Sequence, residues 1–188
     1  MRDRPRIPPL SADKLDPSQL ALLDSMVSGK RGRSAANGGP FGVWLHSPAF
    51  GMEVQRFGEY VRYDTSLEPA ISELLILCCA THWRAQYEWY VHAPIAASSG
   101  VAGEVIEALR TGSDIPAIFQ AEEKLIRFAR CALSPSPMTD AVYDSIADLL
   151  SQSEIIEAAG LIGYYSLVAI TLNVFDVPVP DPHFIGMV

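Results

Sequence analysis

A chain of 188 residues, 49% of them apolar, is long enough for one domain with a substantial core and too apolar to be disordered. Its formal net charge of −8 and pI near 4.9 argue against a nucleic-acid partner or an anionic membrane surface. An anionic small molecule remains compatible, provided that a local cationic patch offsets the overall field.

The opening MRDRPRIPPL is charged and proline-rich, with no apolar stretch of the secretory kind. Pro5, Pro8 and Pro9 predict an extended arm over residues 1–10, which either crosses a neighbouring subunit or frays. A first helix is expected after Asp16, with Pro17 at its first position, Leu20, Leu23 and Val27 as its apolar stripe, and Gly29 as its end. Residues 30–40, KRGRSAANGGP, read as a loop. Its cations Lys30, Arg31 and Arg33 are either solvated or line a mouth where guanidinium meets carboxylate. Neither phosphate-loop spacing is present.

Ser47-Pro48 starts a helix to about residue 63, with Met52, Phe57, Tyr60 and Val61 on the apolar side and Glu53, Arg56, Glu59 and Arg62 largely opposite. Residues 64–66 are a break, and the next helix carries Glu68-Pro69 near its start and the apolar run LLILCCA. Helices follow over residues 101–109, from Ile115-Pro116 through Ala129, and from the cap Thr139 through Leu150. Ser151 or Ser153 opens a last, very apolar helix to about residue 175. No segment alternates with period two between turn signals, so the fold class is all-α. The last helix is apolar on more than one face, which favours a core position or a subunit contact and hence a homo-oligomer. Residues 158–175 contain Tyr, Ser, Thr and Asn and fall short of a membrane span, so the chain reads as soluble, with no membrane partner. Cys78, Cys79 and Cys131 form no CxxC pair, which points away from a disulfide scaffold or a zinc site and towards a reducing cytoplasm.

The chemistry concentrates in residues 73–92, ELLILCCATHWRAQYEWYVH. Glu88 and His92 are four apart, so on a helix they share one face. A carboxylate beside an imidazole fixes the ring's tautomer and lets it move a proton near neutral pH; the same spacing also decorates ordinary helix surfaces.

These residues resemble the carboxymuconolactone decarboxylase superfamily, which also holds the alkyl hydroperoxidase D-like proteins. The resemblance rests on residues 73–105, on GPFGVWLHSPAF upstream, and on the late apolar helix ending in LNVFDVPVP. The family pattern is an acid, eleven residues, a pair three apart, then a histidine four further on. In the peroxidase branch that pair is two cysteines; here it is Ala85 and Glu88, between Glu73 and His92. Thiol-dependent peroxide reduction needs an attacking and a resolving thiol, which Ala85 and Glu88 cannot supply. The resemblance therefore implies the decarboxylase-type branch: an all-helical single domain, trimeric or hexameric, with no cofactor and a small carboxylated substrate.

On that reading His92 delivers or shuttles a proton, Glu88 orients and polarises it, and Glu73 sits behind and tunes the pair. Phe41, Trp44 and Tyr87 would wall an apolar pocket, with Arg33 or Arg84 meeting the substrate carboxylate. Isomerisation, lactone hydrolysis or another lyase step would use the same groups. A non-catalytic oligomeric binding protein would instead bury Glu73, Glu88 and His92 as a structural network. Metal ligation by His92, Glu88 and His82 is a further option without a strong zinc spacing. His46 and His183 read as incidental.

Overall fold

The computed structural model describes residues 5–32 and 38–188, and among these nine α-helices carry the fold with no strand. Helix α1 (Pro17–Ser28) begins at Asp16, whose side chain accepts from Ser18 and Gln19 N–H while Gln19 reaches back, a complete capping box. Its buried positions are Leu22 and Met26, whereas Leu20 of the expected stripe is 42% exposed. A short α2 (Gly39–Trp44) occupies ground that the sequence reads as loop and connector; six residues are too few to show a period. The arm after Pro5 lies on its own chain: Arg6 N–H donates to Phe175 C=O at 2.8 Å, and His46 Nε2 lies 3.0 Å from Pro8 C=O.

Helix α3 (Pro48–Tyr63) has the expected bounds but a different phase. It buries Gly51, Val54, Gln55, Gly58 and Val61, and leaves Phe57 and Tyr60 about half exposed. The reason is close approach. A Cβ on Gly51 would stand 2.6 Å from Leu22, and one on Gly58 would stand 2.0 Å from the Tyr164 hydroxyl. The smallest residues therefore face inward, and the rotation that this imposes carries Arg62 towards the interior.

Helix α4 (Pro69–Trp83) is the hub, packing on α5 (Gln86–Ser98), α6 (Gly103–Thr111), α7 (Gln120–Ala132) and α9 (Gln152–Val174). Every residue from Ser72 to Ala80 is buried, as a helix apolar on all sides requires. It ends at Arg84, which takes the left-handed conformation (φ 51°, ψ 38°), while Ala85 N–H reaches back to Ala80 C=O at 2.9 Å. α7 carries α8 (Asp140–Ala147), capped by Thr139, against its flank. α9 opens on a Ser151–Glu154 capping box and buries ten residues. At 23 residues it is long and apolar enough to cross a membrane, contrary to the shorter span that the sequence reading allowed; most of its buried residues belong to the one continuous core.

Candidate active site

The left-handed turn at Arg84 doubles the chain back, so that α4 and α5 lie side by side. Glu73 lies eleven residues before that turn and His92 eight after it, so at about 1.5 Å of helical rise per residue the two stand within about one turn of each other, a gap their side chains span. His92 Nδ1 meets Glu73 Oε2 at 2.7 Å, both side chains being 8% exposed. The other Glu73 oxygen lies 3.3 Å from Arg62 Nη1. Arg62 in turn donates to the Tyr165 hydroxyl at 2.8 Å, and the Tyr165 ring stands edge-on to His92 with centroids 5.1 Å apart.

This arrangement settles the tautomer. Glu73 is paired with a guanidinium, so it is an acceptor, and Nδ1 must carry the proton. Arg62 Nη1, 3.3 Å from the same nitrogen, is then a second donor rather than a partner. It opposes a positive ring. Burial lowers the His92 pKa from its ordinary 6.5, Glu73 pulls it back up, and Arg62 and Arg31 push it further down. The ring is neutral at neutral pH, with the lone pair on Nε2. That atom makes no hydrogen bond to a described residue.

Glu88 does not do what its spacing promised. It is 2% exposed, and neither carboxyl oxygen has a partner among the described residues. Glu73, not Glu88, orients His92. Burial first, and the Glu73 charge second, hold the Glu88 pKa well above the ordinary carboxylate value. An ionised carboxylate buried without donors costs several kcal/mol, roughly, so the neutral acid is the form this site favours.

Glu88 and His92 both line a cavity of about 290 Å³, the Glu88 oxygens themselves being buried behind its surface. Arg31 and Arg62, Tyr164 and Tyr165, and Phe41 and Tyr87 form much of its remaining wall. Arg31 lies over the Phe41 ring at 5.0 Å and 3.3 Å from the Tyr164 hydroxyl, with its buried Nε unpartnered. Phe41 and Tyr87 are thus among the lining residues. Trp44 is not: it is 3% exposed and packs edge-on against Phe41, one layer behind the wall. Arg84 is exposed at the turn and does not reach the cavity. Arg33 lies outside the described residues.

The sequence reading missed the roles of Arg62, Tyr164 and Tyr165. Arg62 follows the apolar stripe of α3 by one position, and the inward Gly51 and Gly58 were the signal that the helix is rotated. The adjacent tyrosines lie within the very apolar α9 and are buried core residues as well.

Cys78 and Cys79 are buried and do not line the cavity. Burial pushes the Cys78 thiol up to about 12, and Cys79 rises with it, so both stay protonated. No group of three or more His, Cys, Asp or Glu among the described residues is arranged to hold a metal ion.

No family model matches the chain. No curated protein matches it either. Among solved structures it is similar to the crystal structure of the debrominase Bmp8 without ligand, at a TM-score of 0.69 and 16% identity over 91% of this chain and 90% of that one. A cysteine-to-alanine variant of Bmp8 in complex with 2,3,4-tribromopyrrole aligns with a TM-score of 0.66 and 16% identity, over 91% and 89% of the two chains. At that identity the likeness is one of fold: this chain shares the all-helical architecture of the debrominase Bmp8.

Proposed function

We propose that the protein is a carboxymuconolactone decarboxylase-like enzyme, working by cofactor-independent acid–base chemistry on a small carboxylated lactone or a related intermediate of aromatic-compound breakdown. The observation that carries this reading is the pairing of a neutral imidazole with a neutral carboxyl on one cavity. Two titratable groups whose surroundings push their pKa values in opposite directions make an acid and a base available at the same pH. The cavity is at the small end of ligand sites, which suits a single ring.

In the decarboxylation, the bond from the ring carbon to its carboxylate breaks and CO2 leaves. The electron pair moves through the conjugated system to the carbonyl oxygen. The hydroxyls of Tyr164 and Tyr165, each beside a guanidinium, stabilise that enolate. Glu88 delivers its proton to carbon, and His92 returns one to Glu88 from solvent, so one proton is consumed per CO2 released. Arg31 has no carboxylate partner among the described residues and is the group that meets the ligand's own carboxylate. With Arg62 neutralised by Glu73 and Glu88 uncharged, Arg31 leaves this wall cationic inside an acidic protein.

Isomerisation or another lyase step would use the same residues, His92 removing a proton and Glu88 returning one. Thiol peroxidation finds no support, since Ala85 and Glu88 stand at the paired positions. A non-catalytic binding role draws on the buried Arg62–Glu73–His92–Tyr165 network, but a purely structural network would not need His92 and Glu88 beside a cavity. The assembly that belongs to this proposal is a homo-oligomer, trimer or hexamer, in the cytoplasm. Its contact would cover Phe50 and Phe57 of α3 and Ile156 and Ile170 of α9, all at least 43% exposed.

The test mixes purified protein with a panel of carboxylated lactones and hydroperoxides, following CO2 release and peroxide loss separately. CO2 release is expected, and His92→Gln should lower it at least about a hundredfold while keeping the wild-type melting curve. Peroxide loss without CO2, or a fully active His92→Gln, would contradict the proposal.

A further inference from the structure

A second cavity, also about 290 Å³, adjoins the first. Its walls come from the N-terminal arm (Ile7, Pro8, Pro9), from Val43 of α2, and from the tail after α9 (Val177, Pro178). No charged side chain lines it among the described residues. The arm that roofs it is held by the Arg6–Phe175 and Pro8–His46 contacts, so this is a built wall rather than a loose end.

Two residues, Gly38 and Tyr87, line both cavities, and the Tyr87 ring is the partition between them. The ring rests on Gly39, where a Cβ would come within 2.6 Å of it and where φ is +59°. The Tyr87 hydroxyl makes no hydrogen bond to a described residue, so turning the ring breaks none. The two sides differ in chemistry. One carries arginines, tyrosine hydroxyls and the acid–base pair; the other is proline, valine and isoleucine.

We infer that the proline-lined groove is a subsite for an apolar substituent of the ligand, and that Tyr87 turns aside to admit it. The ligand is then a small ring with an anionic end at Arg31 and an alkyl or second-ring tail beyond Tyr87. The occupant follows from continuity: the groove is one side chain away from the acid–base pair, and among the described residues it offers a tail burial with no lining charge to desolvate. The inference rests on the proposed function for the anionic end alone.

Binding of benzoic acid and its 4-alkyl homologues up to hexyl, by calorimetry, tests it, with the matching benzamides in parallel. In the wild type each methylene that enters the groove should tighten binding about threefold to fourfold, from a transfer value near 0.8 kcal/mol per CH2. Tyr87→Ala should start that gain at a shorter chain. Val43→Phe, or Val43→Leu if the larger ring prevents folding, should cut the hexyl-to-unsubstituted affinity ratio at least tenfold by filling the groove. A gain with length in the amides as well as the acids supports the subsite even where charge gives no advantage, in which case the anionic end at Arg31 is what fails. Ratios that ignore chain length in both series, or that stay at the wild-type value in the Val43 variants, overturn it.

Discussion

Glu73 bonds to Arg62 with one oxygen and to His92 with the other, and through this bridge the charge state of the site is set. Removing Arg62 leaves the Glu73 charge buried without its counterpart, whereas removing the neutral His92 leaves that ion pair in place. Glu88 stands apart from the bridge, and its pKa gives it a signature in stability. A carboxyl whose folded pKa is raised favours folding fully below its ordinary value, 4.5, and loses that contribution as pH rises towards the folded pKa. His92 works in the opposite direction: its folded pKa is lowered, so stability falls as pH drops below 6.5. Glu88→Gln should therefore match the wild type near pH 5 and gain on it in thermal melts as pH rises, while turnover falls about a hundredfold or more. A Gln variant that loses ground at alkaline pH would mean that Glu88 is ionised and paired. The Glu73–His92 pair was legible in the sequence as a pattern, but the role of Glu88 was not. Spacing of four places two residues on one helix face without saying whether a third residue, from another helix, takes the bond.

At the scale of elements, the site depends on how closely α3 and α9 approach. Gly58 faces the Tyr164 hydroxyl and Arg31 Nη2, which a Cβ would meet at 2.0 and 2.6 Å. Gly58→Ala should cost about 1–3 kcal/mol in denaturant unfolding through overpacking, and should weaken binding of any carboxylate held by Arg31. A variant with unchanged stability and binding would mean that the two helices have room to part. Most helix ends could be read because they carry local signals: Asp16-Pro17, Thr139 and Ser151 are caps, and Ser47-Pro48 is a start. Helix phase was less legible. Apolar periodicity points Phe57 and Tyr60 inward, whereas glycine packing turns them out and brings Arg62 in, and that preference arises from a partner helix rather than from α3 itself.

For the whole molecule, an acidic surface surrounds a cavity that presents Arg31 and Arg62, so ligand selection is local and the net charge is uninformative about it. The exposed apolar residues of α3 and α9 belong to the same scale. Light scattering after gel filtration should give a mass of three or six chains, and Ile170→Glu should shift it towards the 20.5 kDa monomer. A wild type that elutes as a monomer would remove the oligomer from the proposal. The account as a whole turns on the state of one ring in the folded protein. Nitrogen-15 NMR of labelled histidine, assigned with His92→Gln, reads that state directly. It should show a proton on Nδ1 and a free lone pair on Nε2 at pH 7, with titration below 6.5. A doubly protonated ring at pH 7, or a proton on Nε2 instead, would contradict it.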